Sequence, residues 1–181
     1  MVLFTSIAIV RERERGNLEL LIATPIRTLE LMIGKVVPYV VIGYVQVTLI
    51  LLFAVFLFDV PIRGELSDFY IATGVFVAAA LSLGLFISTI ATTQFQAFQM
   101  TWVSFLPQLL LSGFMFPFDG MPPWVRSFSE LFPLTHFIRV VRGILLRGAD
   151  LRDIGPDIWP LTVFFAVMMS LSVVRFRKRL D

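Results

Sequence analysis

Apolar residues fall along this chain in long uninterrupted runs separated by short charged segments, and no period of 2.0 or 3.6 spreads them over a single buried core. From Val36 to Phe58 there are 23 residues without a charge. Wound as a helix they reach about 35 Å at 1.5 Å per residue, enough to cross a hydrocarbon core of roughly 30 Å with some tilt. The next run, Phe69 to Phe118, carries no charge over 50 residues, too long for one helix and right for two with a turn. Its one polar cluster, Thr92-Thr93-Gln94-Phe95-Gln96, places that turn. A last run goes from about Ile158 to Val174 and stops at Arg175-Phe176-Arg177-Lys178-Arg179. Residues 1–10 read as the tail of a membrane helix whose beginning is missing, because positive charge follows the apolar stretch, the reverse of a signal peptide. The predicted fold is all-α, a polytopic membrane helix bundle. It has four full transmembrane helices (25–58, 69–91, 97–117 and 157–174) plus an amino-terminal stub.

Two of the intervening segments carry patterns of their own. Arg11 to Pro25 alternates charge in Arg11, Glu12, Arg13, Glu14 and Arg15, sets Glu19 four residues after Arg15, and places Leu18, Leu21 and Ile22 at i, i+3 and i+4. That is a short helix over 11–24 with one apolar edge. Thr24 as N-cap and Pro25 at the first helical position then start the next helix, with Leu29, Met32, Ile33 and Val36 as its stripe and Lys35 at the headgroups. In 118–156, Pro122-Pro123-Trp124 opens a helix with Val125, Phe128, Leu131 and Phe132 on one side and Arg126, Ser127 and Glu130 on the other. Thr135 is expected to cap a second, with Phe137, Val140, Val141, Ile144 and Leu145 opposed to Arg139, Arg142 and Arg147. Two amphipathic helices broken at Pro133 predict a re-entrant helical hairpin at the membrane surface.

Composition agrees: 57% hydrophobic and 15% charged residues exclude a water-soluble domain of 181 residues. Charge then orients the spans. If the Arg11 segment is cytoplasmic, four crossings return the carboxy terminus to that side. The two cytoplasmic segments would hold nine of the fifteen Lys and Arg against five of the thirteen Asp and Glu, a net of +4; the opposite side nets −2 from six and eight. The positive-inside rule supports this orientation.

The string R-E-x-E-x-G-x-x-E-x-L-x-x-T-P over Arg11–Pro25 resembles the cytoplasmic coupling segment of the ABC-2 family of ABC-transporter permeases. S-G-x-x-F-P from Ser112, M-P-P-W from Met121 and F-P-L-T-H-F-I-R-V-V-R-G from Phe132 resemble that family again, so the resemblance spans the chain in order, as a single ABC-2 type transmembrane domain truncated at its amino terminus. It implies that Arg11, Glu12, Arg13, Glu14, Gly16, Leu18, Glu19, Leu21, Thr24 and Pro25 seat in a cytoplasmic ABC ATPase subunit. It also implies an outer gate of Pro117, Met121, Pro122, Trp124, Phe132, Pro133, Leu134, Arg139, Arg142 and Gly143. The expected partners are that ATPase, a second permease subunit, membrane lipid and a periplasmic membrane-fusion adaptor, with no nucleic acid. The expected location is the cytoplasmic (inner) membrane.

The chain has no G-x-x-x-x-G-K-[ST], so ATP and Mg would be held by the ATPase subunit and no cofactor by this chain. No cysteine and one histidine leave no expected metal site. His136 beside Arg139 lacks any H-E-x-x-H or G-x-S-x-G company, so an enzyme is not expected and His136 reads as an interfacial polar residue. Gly74, Gly84 and Ala78 to Ala80 suit close helix packing. Gln46, Gln99 and Gln108 are the strongly polar side chains within spans, candidates for a substrate path. Amides without a mid-membrane charge suit a lipophilic or amphiphilic, drug-like cargo. The rival readings are a lipid-linked polysaccharide exporter permease and a non-transporting remnant or membrane anchor.

Overall fold

The computed structural model describes residues 1–14 and 28–177. They form seven α-helices: α1 (Val2–Glu14), α2 (Thr28–Phe58), α3 (Leu66–Ile90), α4 (Gln94–Leu111), α5 (Pro123–Ser129), α6 (Pro133–Arg142) and α7 (Leu151–Arg177). A 3-10 turn at Phe118–Gly120 precedes α5, and a π turn at Gly143–Arg147 follows α6. The expected helix start at Thr24-Pro25 lies outside the described residues.

Among the described residues three helices are long and apolar enough to cross a membrane: Val36–Phe58, Leu66–Ile90 and Leu151–Arg175. Predicted as a fourth span over 97–117, α4 has 18 residues and four glutamines, Gln94, Gln96, Gln99 and Gln108, which keep it out of that set. It ends at Leu111, earlier than the apolar run suggests, because Gly113 takes a left-handed φ of 76° and Phe118 packs where a Cβ would stand. At its other end Thr93 is the N-cap, accepting from the Gln96 amide at 3.2 Å, while the Gln96 side chain accepts from the Thr92 amide at 2.7 Å. Predicted turn residues Gln94 to Gln96 are thus already helix, held by reciprocal capping.

The central helix is α3, with α1, α2, α4, α6 and α7 all packed on it. Its small residues let neighbours approach: a Cβ on Gly84 would stand 2.8 Å from the Val2 carbonyl of α1, and one on Gly74 would overlap the Tyr44 hydroxyl of α2. Buried hydroxyls on α3 bond within the helix, Ser82 to the Ala79 carbonyl and Ser88 to that of Leu85. By contrast α2 and α7 turn Val41, Val45, Phe53, Phe56, Trp159 and Val167 outward. Rows of exposed large side chains along spans of this length are what a lipid solvent stabilises.

The last helix starts at Leu151 and runs through Pro156 and Pro160, several residues before the predicted span start at 157. Its beginning is fixed from two directions. The Leu151 amide donates to Asp68 on α3 at 3.1 Å, and the Asp150 amide donates weakly to Asp153 at 3.4 Å. A carboxylate at a helix N-terminus also meets the favourable end of the macrodipole.

Candidate functional site: a coupling end, a gate end and the cavity between

Two ends of the bundle are polar. At one, α1 closes against α4. Ser6 lies 3.2 Å from Thr101 hydroxyl to hydroxyl, Val10 shares a buried cluster with Ala97 and Met100, and Glu14 accepts from the Gln94 amide at 2.9 Å and from its side-chain Nε2. Those Gln94 donors hold the Glu14 carboxyl below the usual carboxylate range. Of the predicted coupling residues, Arg11, Glu12, Arg13 and Glu14 fall on α1, with Arg11 and Glu14 exposed. Gly16, Leu18, Glu19, Leu21, Thr24 and Pro25 lie outside the described residues.

At the other end, α5, α6 and the π turn fold back on the bundle. Pro117 and Pro122 are N-cap positions, of the 3-10 turn and of α5. Pro133 takes the first position of α6, where its missing N–H is no loss, and Phe132 is the N-cap. Thr135 is therefore not the predicted cap; buried, it donates to the Ser129 carbonyl at 2.8 Å and ties α6 to α5. The α-helix expected to continue to Leu145 gives way at Gly143 to the π turn, closed by Gly148 at φ 68° against the Arg63 backbone. The Arg63 amide donates to the Leu145 carbonyl at 3.1 Å, tying the α2–α3 connection to this hairpin. Trp124, 74% exposed, and Phe128 face outward, whereas Pro133, Gly143 and Ile144 are buried.

Inside the hairpin is a charge network whose long-range partner, Asp157, sequence reasoning missed. His136 is 5% exposed. Its Nδ1 lies 2.9 Å from Asp157 Oδ1 and its Nε2 2.9 Å from the Glu130 carbonyl. A carboxylate and a carbonyl both accept, so the arrangement is complete when both ring nitrogens donate, as in the imidazolium. Burial opposes that charge, but the Asp157 hydrogen bond, the Glu130 carbonyl and the two carboxylates outweigh it and raise the pKa above the ordinary 6.5. Arg139 forks onto Glu130 at 2.8 and 2.5 Å, approaches Asp157 at 3.5 Å and stacks 4.9 Å from the Phe118 ring centroid. That fork holds the Glu130 carboxyl below its usual range and the guanidinium above. An available cue was the i, i+3 spacing of His136 and Arg139, which puts both on one face of α6. So His136 is no isolated interfacial residue. Arg142, exposed, makes a long contact of 3.5 Å to the Gly113 carbonyl.

Between the ends is a cavity of about 290 Å³, walled by α1, α3 and α4 and met by Pro133 and Leu134 of α6. Its lining is apolar (Phe76, Ala80, Leu83, Trp102, Phe105) with polar groups from Thr101, Ser104 and Gln108. The three candidate glutamines are not brought together. Gln108 lines the cavity, its amide donating to the Ser104 carbonyl at 3.0 Å; Gln46 and Gln99 are exposed on α2 and α4. Among the described residues no group of three or more His, Cys, Asp or Glu has the arrangement of a metal site.

Spans of this length and apolarity packed around α3 define a multi-pass helical membrane protein. The chain belongs to the ABC-2 type transporter family, which matches residues 1–146. It is similar to the probable multidrug ABC transporter permease YbhR of Escherichia coli, with 32% identity over 179 residues, 99% of this chain and 49% of that protein. Against the probable multidrug ABC transporter permease YbhS of the same organism it is 33% identical over 180 residues, 99% and 48% of the two chains. ABC transporter G family member 20 of Dictyostelium discoideum is 31% identical over 166 residues, 92% of this chain and 22% of that one. The chain thus spans about half the length of the two bacterial relatives. No solved structure matches it.

Proposed function

We propose that this chain is the membrane-embedded permease part of an ATP-driven exporter that moves a lipophilic or amphiphilic, drug-like compound across the cytoplasmic membrane. The observation that carries the reading is the cavity. About 290 Å³ lined by aromatic and aliphatic side chains, with an amide and two hydroxyls, suits a compact apolar ligand better than a polymer. The names of the bacterial relatives, probable multidrug ABC transporter permeases, point the same way. In this reading α4 serves as a fourth span, short enough to need the re-entrant hairpin above it, and the hairpin closes the cavity with Pro133 and Leu134. Residues 11–24 dock on a separate ATPase subunit that holds the ATP and Mg, a second permease subunit completes the pathway, and a periplasmic adaptor extends it. The chain itself performs no catalysis.

Reversing charge at the docking segment tests this. Glu19→Lys in the permease reconstituted with its ATPase subunit should abolish permease-dependent stimulation of ATP hydrolysis while membrane insertion is kept. Unchanged stimulation would remove the assignment of that segment as the coupling element.

A further inference from the structure

We infer that Glu14 is a positioning residue that joins the coupling segment mechanically to α4, so that α1 and α4 move as one unit. The inference rests on the coupling role proposed above for residues 11–24 and adds the route by which their displacement enters the membrane. Three contacts carry it. Along α1, Ser6, Val10 and Glu14 recur every four residues and therefore share one face. They meet Thr101, Ala97 and Gln94 of α4 in the reverse order, so the two helices run antiparallel and are held at three levels, by a hydroxyl pair, a buried apolar cluster and a carboxylate.

The last of these is the contact nearest the coupling segment. Glu14 accepts from the main-chain amide of Gln94 as well as from its side chain, so it grips the first turn of α4 by its backbone. Gln94 opens that helix, its amide among those left without an intrahelical partner. A carboxylate there answers both the free donor and the positive end of the macrodipole. The turn behind it is stiffened by the Thr93 and Gln96 caps, so a displacement of Glu14 is passed to α4 instead of being absorbed by the loop. On α4 lie Thr101, Trp102, Ser104, Phe105 and Gln108, the cavity wall.

Hydrogen exchange on the permease–ATPase complex in lipid nanodiscs, with and without ATP and vanadate, reads both ends of this route separately. In the native complex nucleotide should change exchange in 11–24 and in 94–111. Gln94→Pro, which removes both donors to Glu14 at the first position of α4, where proline is tolerated, should keep the change in 11–24, reporting docking, and lose most of it, at least threefold, in 94–111. Gln94→Ala, which loses the side-chain donor but keeps the backbone one, should be milder than Gln94→Pro and retain part of the response. The chain has no cysteine, so Glu14→Cys with Gln94→Cys can be bridged by a short bifunctional thiol reagent, and bridging should return the 94–111 response. A full 94–111 response in unbridged Gln94→Pro, or loss of the response on bridging, would overturn the inference while leaving the coupling reading intact. Absence of any nucleotide effect on 11–24 in the native complex would instead remove the coupling reading beneath it.

Discussion

His136 locks the hairpin to the head of α7, and the lock should open with rising pH. The groups facing it are Glu130 from the α5–α6 connection, Asp157 from α7 and Arg139 from its own helix. As imidazolium, His136 gives one hydrogen bond to a carboxylate, a charge-assisted contact of about 1.5–3 kcal/mol, and one to a carbonyl at about 0.5–1.5 kcal/mol. His136→Ala should therefore cost roughly 2–4 kcal/mol, leaving the buried side of the hairpin without its donor pair. The pH dependence has a definite sign. Because the folded-state pKa is raised, the stabilisation is full below the unfolded value of about 6.5 and is lost as pH climbs through the higher folded value. Thermal unfolding of the detergent-solubilised protein, together with hydrogen exchange in residues 123–147, should show the hairpin loosening as the pH is raised above about 6.5. In Asp157→Asn the hairpin should be looser throughout and its pH response weaker, since the carboxylate that favours the imidazolium is gone. If His136→Ala matched the native protein at about pH 6, or Asp157→Asn kept the full pH response, the imidazolium bridge would be wrong.

Gly84→Ala should separate α1 from α3, because the added Cβ would stand 2.8 Å from a main-chain carbonyl that cannot rotate away; a loss of about 1–3 kcal/mol is expected in denaturation, whereas Gly34→Ala, with open space around it, should lose nothing. Pro133→Ala should leave the hairpin assembled and cost about 1 kcal/mol or less, since Pro133 stands at the first position of a helix, where its missing N–H is no loss; unfolding of α6 in hydrogen exchange would contradict this. A cysteine placed at Glu65 should label from outside the cell, because residues 59–68 share an end of the bundle with the hairpin; labelling from the cytoplasm alone would invert the orientation.

What the sequence disclosed was local. Uncharged runs located α2, α3 and α7, the Thr92–Gln96 cluster located the α3–α4 turn, and Pro122-Pro123 located the start of α5, each because the determinant lies within a few residues of the element it sets. Missed features depend on residues brought together only by folding. Asp157 meets His136 across 21 positions, Glu14 meets Gln94 across 80, and Asp68 caps Leu151 across 83. No periodicity within one helix predicts such partners. The early end of α4 was concealed for a related reason: Ser112 to Phe118 stays apolar enough to extend the run, and only the Gly113 backbone, folded to receive Phe118, breaks it.

The arrangement of charge bears on the proposed coupling between the two ends of the molecule. Between Gln94 and Gly113 the α4 sequence holds no ionisable side chain that could carry a charge from the Glu14 contact toward the Arg139 and His136 network. Displacement of the helix itself is the route the inference above proposes. Pro107 lies within α4, where it cannot donate to the Val103 carbonyl, and this is where a helix bends at least cost. The cavity residues Thr101 to Phe105 precede that weak point and Gln108 follows it, with the Gln108 side chain bonded back to the Ser104 carbonyl across the gap. On the proposed coupling, a push at Gln94 would therefore change the angle between the two halves of the cavity wall before it reached the hairpin. Replacing Pro107 with Ala would restore the missing backbone bond and stiffen that wall. Nucleotide-dependent exchange should then spread evenly from 94 to 111 instead of concentrating near the Val103 carbonyl; a profile unchanged from the native one would mean that α4 moves as a rigid rod with or without the proline.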